Sequence, residues 1–159
     1  MPSSPCGRGR YVVIYTLLNA KGEPYYYIGG NPLQPTWPDT VDPDCRNVRE
    51  VWHLVPEPLK SFYETVHDGF YNFDFGDRGF GQLSEVVCLG DELDSDWRER
   101  FSGSYAFYLH QSTIVCLAVD LNGPHPGRAD MWYNDDDPRL DVDFWEKVEQ
   151  LAEIALDDG

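Results

Sequence analysis

Two pairs of apolar segments along the chain predict two β-hairpins. Residues 11–18 and 25–28 are rich in β-branched and aromatic side chains, and a polar turn containing Gly22 separates them. This pattern is typical of a hairpin. Residues 105–109 and 113–119 form the second pair, joined by a short polar turn. The last of these segments is apolar over most of its length, which favours a central position in a sheet.

Other segments predict further strands and their connections. Residues 83–89 and 129–133 have the composition of strands. Residues 76–81 are rich in glycine but lack the order and the lysine of a phosphate-binding loop, so we expect a tight loop in which only glycine fits the backbone. Residues 29–44 contain four prolines and predict an irregular connection that packs Trp37 against the body of the protein.

Hydrophobic spacing predicts two principal helices. Pro58 suits the first turn of the first helix and Gly69 its end. The second helix begins near Asp143, which forms a capping box with Glu146 three residues later. A short helix is also expected around Trp97. The apolar face of the first helix comprises Leu59, Phe62, Tyr63 and Val66. That of the second comprises Phe144, Val148, Leu151 and Ala155, with Trp145, Ala152 and Leu156 beside them.

These elements predict one domain over residues 1–159 with an α+β fold. Because the strands come as hairpins, we expect a mostly antiparallel sheet with a helix between strands and a C-terminal helix packed on it. Residues 1–9 are rich in Pro, Ser, Gly and Arg and predict a loose arm. Residues 10–49 add the first hairpin and the Pro-rich loop, and residues 50–156 form the core of the domain.

The charge balance narrows the class of partner. The chain has 28 Asp and Glu residues against 12 Lys and Arg, a formal net charge of -16 at pH 7. So negative a surface repels phosphate, which excludes nucleic acid and anionic lipid as direct ligands and favours a basic protein or a cation. Since 42% of the residues are hydrophobic and 14% aromatic, the chain also has enough apolar surface for a folded core.

The sequence favours a cytoplasmic protein without membrane association. No apolar run reaches the roughly 18–20 residues that a membrane-spanning helix needs. The apolar segment after Arg8 and Arg10 is at the short limit for a signal peptide, and no clear cleavage site follows it. The four cysteines are widely spaced. Cys88 and Cys116 lie in apolar segments, where a thiol behaves as a small hydrophobic group.

The residues that could carry chemistry match no recognised catalytic or metal-binding motif. The four histidines lack H-x-x-x-H and H-x-E spacing, Asn72, Asp74 and Asp77 lack the calcium-loop pattern, and no G-x-S-x-G sequence occurs. We therefore expect no catalytic residue, metal or cofactor. His67 is expected to complement the dipole at the C-terminal end of the first helix.

Two enzymatic alternatives stay open. A Cys–His pair could be assembled by the fold alone, without a sequence motif. A carboxylate-based hydrolase would require paired carboxylates that face each other in a buried cleft, one of them with a raised pKa.

Carboxylates are concentrated in two segments, and residues 135–159 alone hold ten acidic and two basic residues. A charge run is usually a solvated surface, but an excess of this size also steers a cationic partner. Exposed tryptophans and tyrosines are typical interface anchors, but we expect three tryptophans to lie in the core: Trp52, Trp132 and Trp145. The predicted partner-binding residues are Asp91, Glu92, Asp94, Asp96, Asp135, Asp136 and Asp137.

The chain resembles the SUKH superfamily over roughly residues 50–156. Val55-Pro56-Glu57-Pro58-Leu59-Lys60-Ser61-Phe62-Tyr63, followed by His67-Asp68-Gly69-Phe70, is similar to the family's proline-led helix closed by a polar-Gly step. The second hairpin and Asp143-Phe144-Trp145 are similar to its later strands and final helix. Residues 1–49 depart from the family's pattern.

The resemblance implies an α+β fold without catalytic residues whose members act by binding another protein. Many members are immunity proteins of bacterial toxin systems, and their partner is a toxin domain, often a nuclease. A nuclease presents a basic groove to phosphate, so an acidic surface can compete with its substrate. The resemblance also permits a regulatory or scaffold protein with a different partner.

Overall fold

An antiparallel sheet forms the centre of the protein. The computed structural model describes residues 13–30, 48–72, 78–110, 115–133 and 137–157. Within these ranges the strands follow the order β1-β2-β3-β4-β6-β7-β8, and β5 pairs with β6 outside this path. All neighbouring strands are antiparallel. The strands are β1 (Val13–Leu18), β2 (Pro24–Gly29), β3 (Phe70–Asn72), β4 (Arg78–Phe80), β5 (Val87–Cys88), β6 (Ser104–His110), β7 (Val115–Asp120) and β8 (Ala129–Tyr133).

Helices connect the strands and confirm the predicted α+β class. The four α-helices are α1 (Glu57–Ser61), α2 (Leu89–Glu92), α3 (Ser95–Arg98) and α4 (Phe144–Asp157). A 3₁₀ helix (Val48–Leu54) precedes α1, a π-helical turn (Phe62–Val66) follows it, and a 3₁₀ turn (Leu83–Glu85) precedes β5. None of the helices in the described ranges has the length and apolar character needed to span a membrane.

The sheet is covered on both faces, and alternate residues of β7 show which element covers which face. Leu117 and Val119 belong to the larger core, which includes Leu59 and Tyr63 near α1 and Leu151 of α4. In contrast, Cys116 and Ala118 contribute to a smaller core with Leu89, Phe101 and Trp97. The segment containing α2 and α3 therefore lies on the face of the sheet opposite to α4.

Both predicted hairpins are confirmed. In the first, Thr16 pairs with Tyr26 in the register between β1 and β2. In the second, β6 pairs with β7 through most of its length. The predicted strand at residues 129–133 is β8, and the short helix around Trp97 is α3.

The first predicted helix changes its winding after Ser61, and this explains one error in its predicted face. The backbone N–H of His67 donates to the carbonyl of Phe62, an i→i+5 bond that widens the last turn. Leu59 and Tyr63 are buried as predicted, but Val66 is 49% exposed, since the wider turn rotates it away from the core.

The predicted capping of α4 is confirmed, because Asp143 Oδ1 accepts a hydrogen bond of 3.0 Å from the backbone N–H of Glu146. On the predicted apolar face, Leu151 is buried and Phe144 packs against the larger core. The prediction that Trp145 is a core residue was wrong, since its side chain is 41% exposed.

The predicted strand over residues 83–89 was wrong for most of its length. Only Val87–Cys88 pairs with β6, between a 3₁₀ turn and α2. The carboxylate of Asp68 accepts the backbone N–H of Leu83 at 2.9 Å, so this amide is satisfied without a neighbouring strand. An apolar run alone does not distinguish a strand from short buried turns.

The predicted glycine loop at residues 76–81 is partly a strand, because Arg78–Phe80 forms β4. Gly79 is needed for close strand approach as well as for its φ of 134°, since a Cβ there would collide with the carbonyl of Phe70. Several other predictions fall outside the described residues. They concern the arm at 1–9, Trp37, Asp74 and Asp77, and the acidic residues Asp135 and Asp136.

Candidate functional site

The predicted acidic residues that the structure describes lie in two places, around α2 and α3 and beside β8. Asp91 is half-buried in α2, and Glu92, Asp94 and Asp96 are exposed on α2 and around α3. These residues lie on the face of the sheet opposite to α4. Asp137 is exposed and precedes the backbone pairing of Arg139 with Met131 of β8.

Basic side chains dilute the cluster around α3. Arg98 and Arg100 follow Asp96 within four residues, with Glu99 between them, and the guanidinium of Arg100 lies 5.3 Å from the centre of the Trp97 ring. The two arginines offset part of the negative charge of the five carboxylates in residues 91–100 and weaken the field of this cluster.

A groove of about 290 Å³ opens between α1, the strands β7 and β8, and the start of α4. Its floor consists of the apolar side chains of Leu59, Val119 and Ala129, each less than 10% exposed. We call it the α4 groove. Its lining residues are Pro56, Leu59, Val119, Gly127, Ala129, Asp141, Val142, Asp143, Phe144 and Trp145.

Two carboxylates and an exposed indole form the rim of the α4 groove. Asp141 and Asp143 are exposed, and both are acidic in a groove whose described lining includes no lysine or arginine. The Trp145 ring packs at 5.2 Å from that of Phe144, which holds the indole beside the groove while leaving part of it accessible. This combination of an apolar floor, an acidic rim and an aromatic anchor suits a basic protein segment.

Backbone hydrogen bonds fix the rim to the sheet. The N–H of Val142 donates to the carbonyl of Ala129 at 2.9 Å, and the N–H of Asp141 donates to the carboxylate of Asp130 at 2.9 Å. Asp141 has a φ of 54°, a left-handed conformation that costs free energy in a residue other than glycine. The rim is thus held in one geometry before any partner binds, which reduces the ordering cost of association.

The sequence analysis did not assign Asp141, Asp143 and Trp145 to a binding site. Asp143 was identified only as a helix cap, and Trp145 as a core residue. The signal was the alternation of acidic and apolar residues in Asp141-Val142-Asp143-Phe144 directly before a helix. This segment lines a groove only together with Leu59 and Val119, which are distant from it in sequence.

Three buried carboxylates have structural partners. Asp68 accepts the N–H of Leu83, and Asp120 accepts the N–H groups of Gly123 at 2.6 Å and His125 at 2.7 Å. Asp130 forms an ion pair of 2.9 Å with Arg128 and also accepts the N–H of Asp141. These hydrogen bonds satisfy carboxylate oxygens that are buried away from solvent.

His67 has a different structural role from the one predicted. It lies just beyond the π-helical turn, is buried, and makes contacts through both ring nitrogens. Nδ1 lies 3.0 Å from the carbonyl oxygen of Gly30, and Nε2 lies 2.7 Å from the hydroxyl of Tyr15. His67 therefore connects the first hairpin to the rest of the domain rather than complementing a helix dipole.

Burial controls the protonation of several side chains in the cores. It raises the pKa of the Cys116 thiol to about 12, against a small opposing effect of a hydrogen bond with the Trp132 backbone. Burial also raises the pKa of Tyr63 well above its usual value, and the negative charges of Asp68 and Glu85 add to this effect. The Tyr63 hydroxyl donates to the carbonyl of Gly81 at 2.6 Å.

Cys88 and Cys116 are both buried, as expected for cysteines in apolar segments. In the part of the chain that the structure describes, no three His, Cys, Asp or Glu side chains are grouped so that they could hold a metal ion.

Comparison with known proteins found no family model, no curated protein and no solved structure that matches this chain.

Proposed function

We propose that this chain is a non-catalytic protein-binding module that binds a basic protein partner through the α4 groove. The observation that carries the proposal is the pair of carboxylates, Asp141 and Asp143, beside an apolar floor and the exposed indole of Trp145. A net charge of -16 adds long-range attraction, which raises the association rate of a cationic partner.

The partner that fits best is a basic toxin domain, which makes the chain an immunity protein of the SUKH type acting in the cytoplasm. A nuclease domain must present positive charge to phosphate, and an acidic rim competes for that charge. Lysine or arginine at the partner's surface would contact Asp141 and Asp143, while an adjacent apolar residue would occupy the floor near Leu59. A regulatory or scaffold role would use the same groove with a partner of different function.

Four of the partner-binding residues proposed from the sequence lie away from the α4 groove. Asp91, Glu92, Asp94 and Asp96 belong to the opposite face of the sheet, so they contribute to a field around the molecule rather than to contacts in the α4 groove.

The buried carboxylates support the non-catalytic proposal, because Asp68, Asp120 and Asp130 are each bonded to backbone amides or to arginine.

The test has two stages. The chain is used as bait with extracts of its native host at low and high ionic strength, and the captured protein is identified and purified. Its affinity is then measured for the wild type, for Trp145→Ala, and for the double variant Asp141→Asn/Asp143→Asn. The matched control is Asp94→Asn/Asp96→Asn on the opposite face. The activity of the partner is measured with and without the chain.

We expect a basic partner whose affinity falls with salt and falls at least about tenfold in each groove variant, with little change in the control. Inhibition of the partner's activity supports the immunity function, and a captured partner without toxic activity supports the scaffold function. Binding that is indifferent to salt and to the groove variants contradicts the proposal.

A further inference from the structure

We propose that a second pocket, between the end of α3 and the β7–β8 loop, binds a small organic anion with an oxyanion group on an apolar body. The pocket has a volume of about 170 Å³. It does not share a lining residue with the α4 groove, and the proposal does not depend on a protein partner. Its lining residues are Arg100, Phe101, Pro124, His125, Arg128 and Leu140.

Basic residues are frequent in the lining of this pocket, in a chain that has few of them. Two arginines and a histidine line it, although the whole chain has 12 Lys and Arg against 28 Asp and Glu. The guanidinium group presents N–H donors in a planar fork that matches carboxylate and phosphate oxygens. We therefore expect the pocket to favour an anion, although Asp130 already balances part of the charge of Arg128.

Both guanidinium groups are positioned by other side chains. Nε and Nη2 of Arg128 donate to Asp130 at 3.2 and 3.1 Å, which fixes the plane of the group. Five N–H donors are present on an arginine, so others stay available for a ligand. Arg100 lies over the Trp97 ring, a cation–π contact that restricts its side chain.

The loop that carries His125 is fixed by the buried carboxylate of Asp120. This carboxylate accepts the backbone N–H groups of Gly123 and His125, and the carbonyl of Asp120 accepts the N–H of Gly127 at 2.7 Å. The N–H of Arg128 donates to the carbonyl of His125 at 3.0 Å. A ligand would meet a loop that is already ordered, which lowers the entropic cost of binding.

The remaining lining is apolar and sets the second half of the ligand's chemistry. Phe101 is fully buried, and Pro124 and Leu140 complete the apolar part of the lining. A cavity of roughly 150 Å³ accommodates a benzene ring. An aromatic or aliphatic carboxylate therefore fits both parts of the pocket, whereas an inorganic ion satisfies only the cationic side.

Titration of the intact protein tests the proposal, with benzoate as the probe and ¹H–¹⁵N spectra as the readout. We expect saturable shifts of the backbone amide signals of His125 and Arg128. Inorganic phosphate should bind more weakly and neutral benzyl alcohol should not bind in this pocket. The variant Arg100→Gln should weaken benzoate binding about tenfold, since it removes one charge-assisted contact.

The matched control is Arg98→Gln, because Arg98 is the last residue of α3, two positions before Arg100, but does not line the pocket. Several results would overturn the proposal: no saturable shift with benzoate, tighter binding of phosphate than of benzoate, equal shifts with benzyl alcohol, or equal losses in the two arginine variants.

Discussion

The hydroxyl of Tyr15 lies 2.7 Å from Nε2 of His67 and so connects β1, at the end of the sheet, to the residue that follows the π-helical turn. The carbonyl of Gly30 is an acceptor, so Nδ1 of His67 carries the proton that it shares with this oxygen. In neutral His67, Nε2 then accepts the hydrogen bond from Tyr15.

Replacing Tyr15 by Phe should lower the free energy of unfolding by about 1 kcal/mol, because the buried imidazole loses one partner. Urea denaturation measures the change. Tyr26→Phe is the control, since Tyr26 is an exposed tyrosine on the adjacent strand. Equal stabilities of the two variants would show that the contact contributes nothing to the fold.

Gly103 should not tolerate a side chain, because its added Cβ would collide with the backbone N of Gly123. We expect Gly103→Ala to destabilise the protein by about 2–3 kcal/mol, as backbone atoms must move. Gly22→Ala should cost only about 1 kcal/mol, since the φ of 79° at Gly22 is unfavourable for alanine but its surroundings are open. Thermal or chemical denaturation of both variants checks this order, and a reversed order contradicts it.

The contribution of the Asp143 hydrogen bond to stability should be separable from the contribution of the Asp143 charge. Asp143→Ala should reduce stability by about 1 kcal/mol, because the N–H of Glu146 loses its acceptor. Asp143→Asn should retain most of the stability, since asparagine caps a helix about as well as aspartate. Denaturation curves of the two variants measure the difference. If both variants lose stability equally, the charge of Asp143 matters more than the hydrogen bond.

Stability should fall between pH 9 and 12, and Cys116 should account for part of the decline. The folded thiol has a pKa of about 12 against the usual 9.0. In this interval the folded state retains a proton that the unfolded state releases, so each pH unit lowers stability by up to about 1.4 kcal/mol. Above pH 10, Tyr63 and Tyr108 add to the decline, because burial raises the pKa of both hydroxyls.

The variant Cys116→Ala separates the contribution of this thiol from the others. Its stability should fall less steeply than that of the wild type between pH 9 and 10, although at neutral pH the variant is less stable because the packing of the buried sulfur is lost. Below pH 8 the two proteins should show parallel pH dependence. Denaturation at a series of pH values measures both slopes, and identical slopes above pH 9 would contradict the assignment.

The sequence was sufficient for the elements whose signals are local. The hairpins, β8 and the cap at Asp143 follow from alternation, turn composition and the spacing of two residues. The errors arise where a distant residue satisfies the backbone. Leu83 is an example, because the partner of its N–H is Asp68. The end of the first helix is another, since the i→i+5 bond of His67 leaves no trace in the apolar spacing.

The candidate sites were harder to predict than the fold. The α4 groove needs Leu59, Val119 and Asp141 to meet, and their proximity is a property of the sheet order rather than of any segment. Charge counting identified two acidic segments but not their positions in the fold. Cys116 and Leu117 belong to different cores on opposite faces of the sheet, and this places the acidic residues around α3 away from the α4 groove.

The carboxylate of Asp130 contacts Arg128 through both of its oxygens, and Oδ1 also accepts the N–H of Asp141. The Asp130 side chain therefore holds both Arg128 of the anion pocket and Asp141 of the groove rim in place. Mutation of Asp130 would impair both at once, and an experiment that aims to abolish one and spare its neighbour must begin at Arg100 or at Trp145 instead.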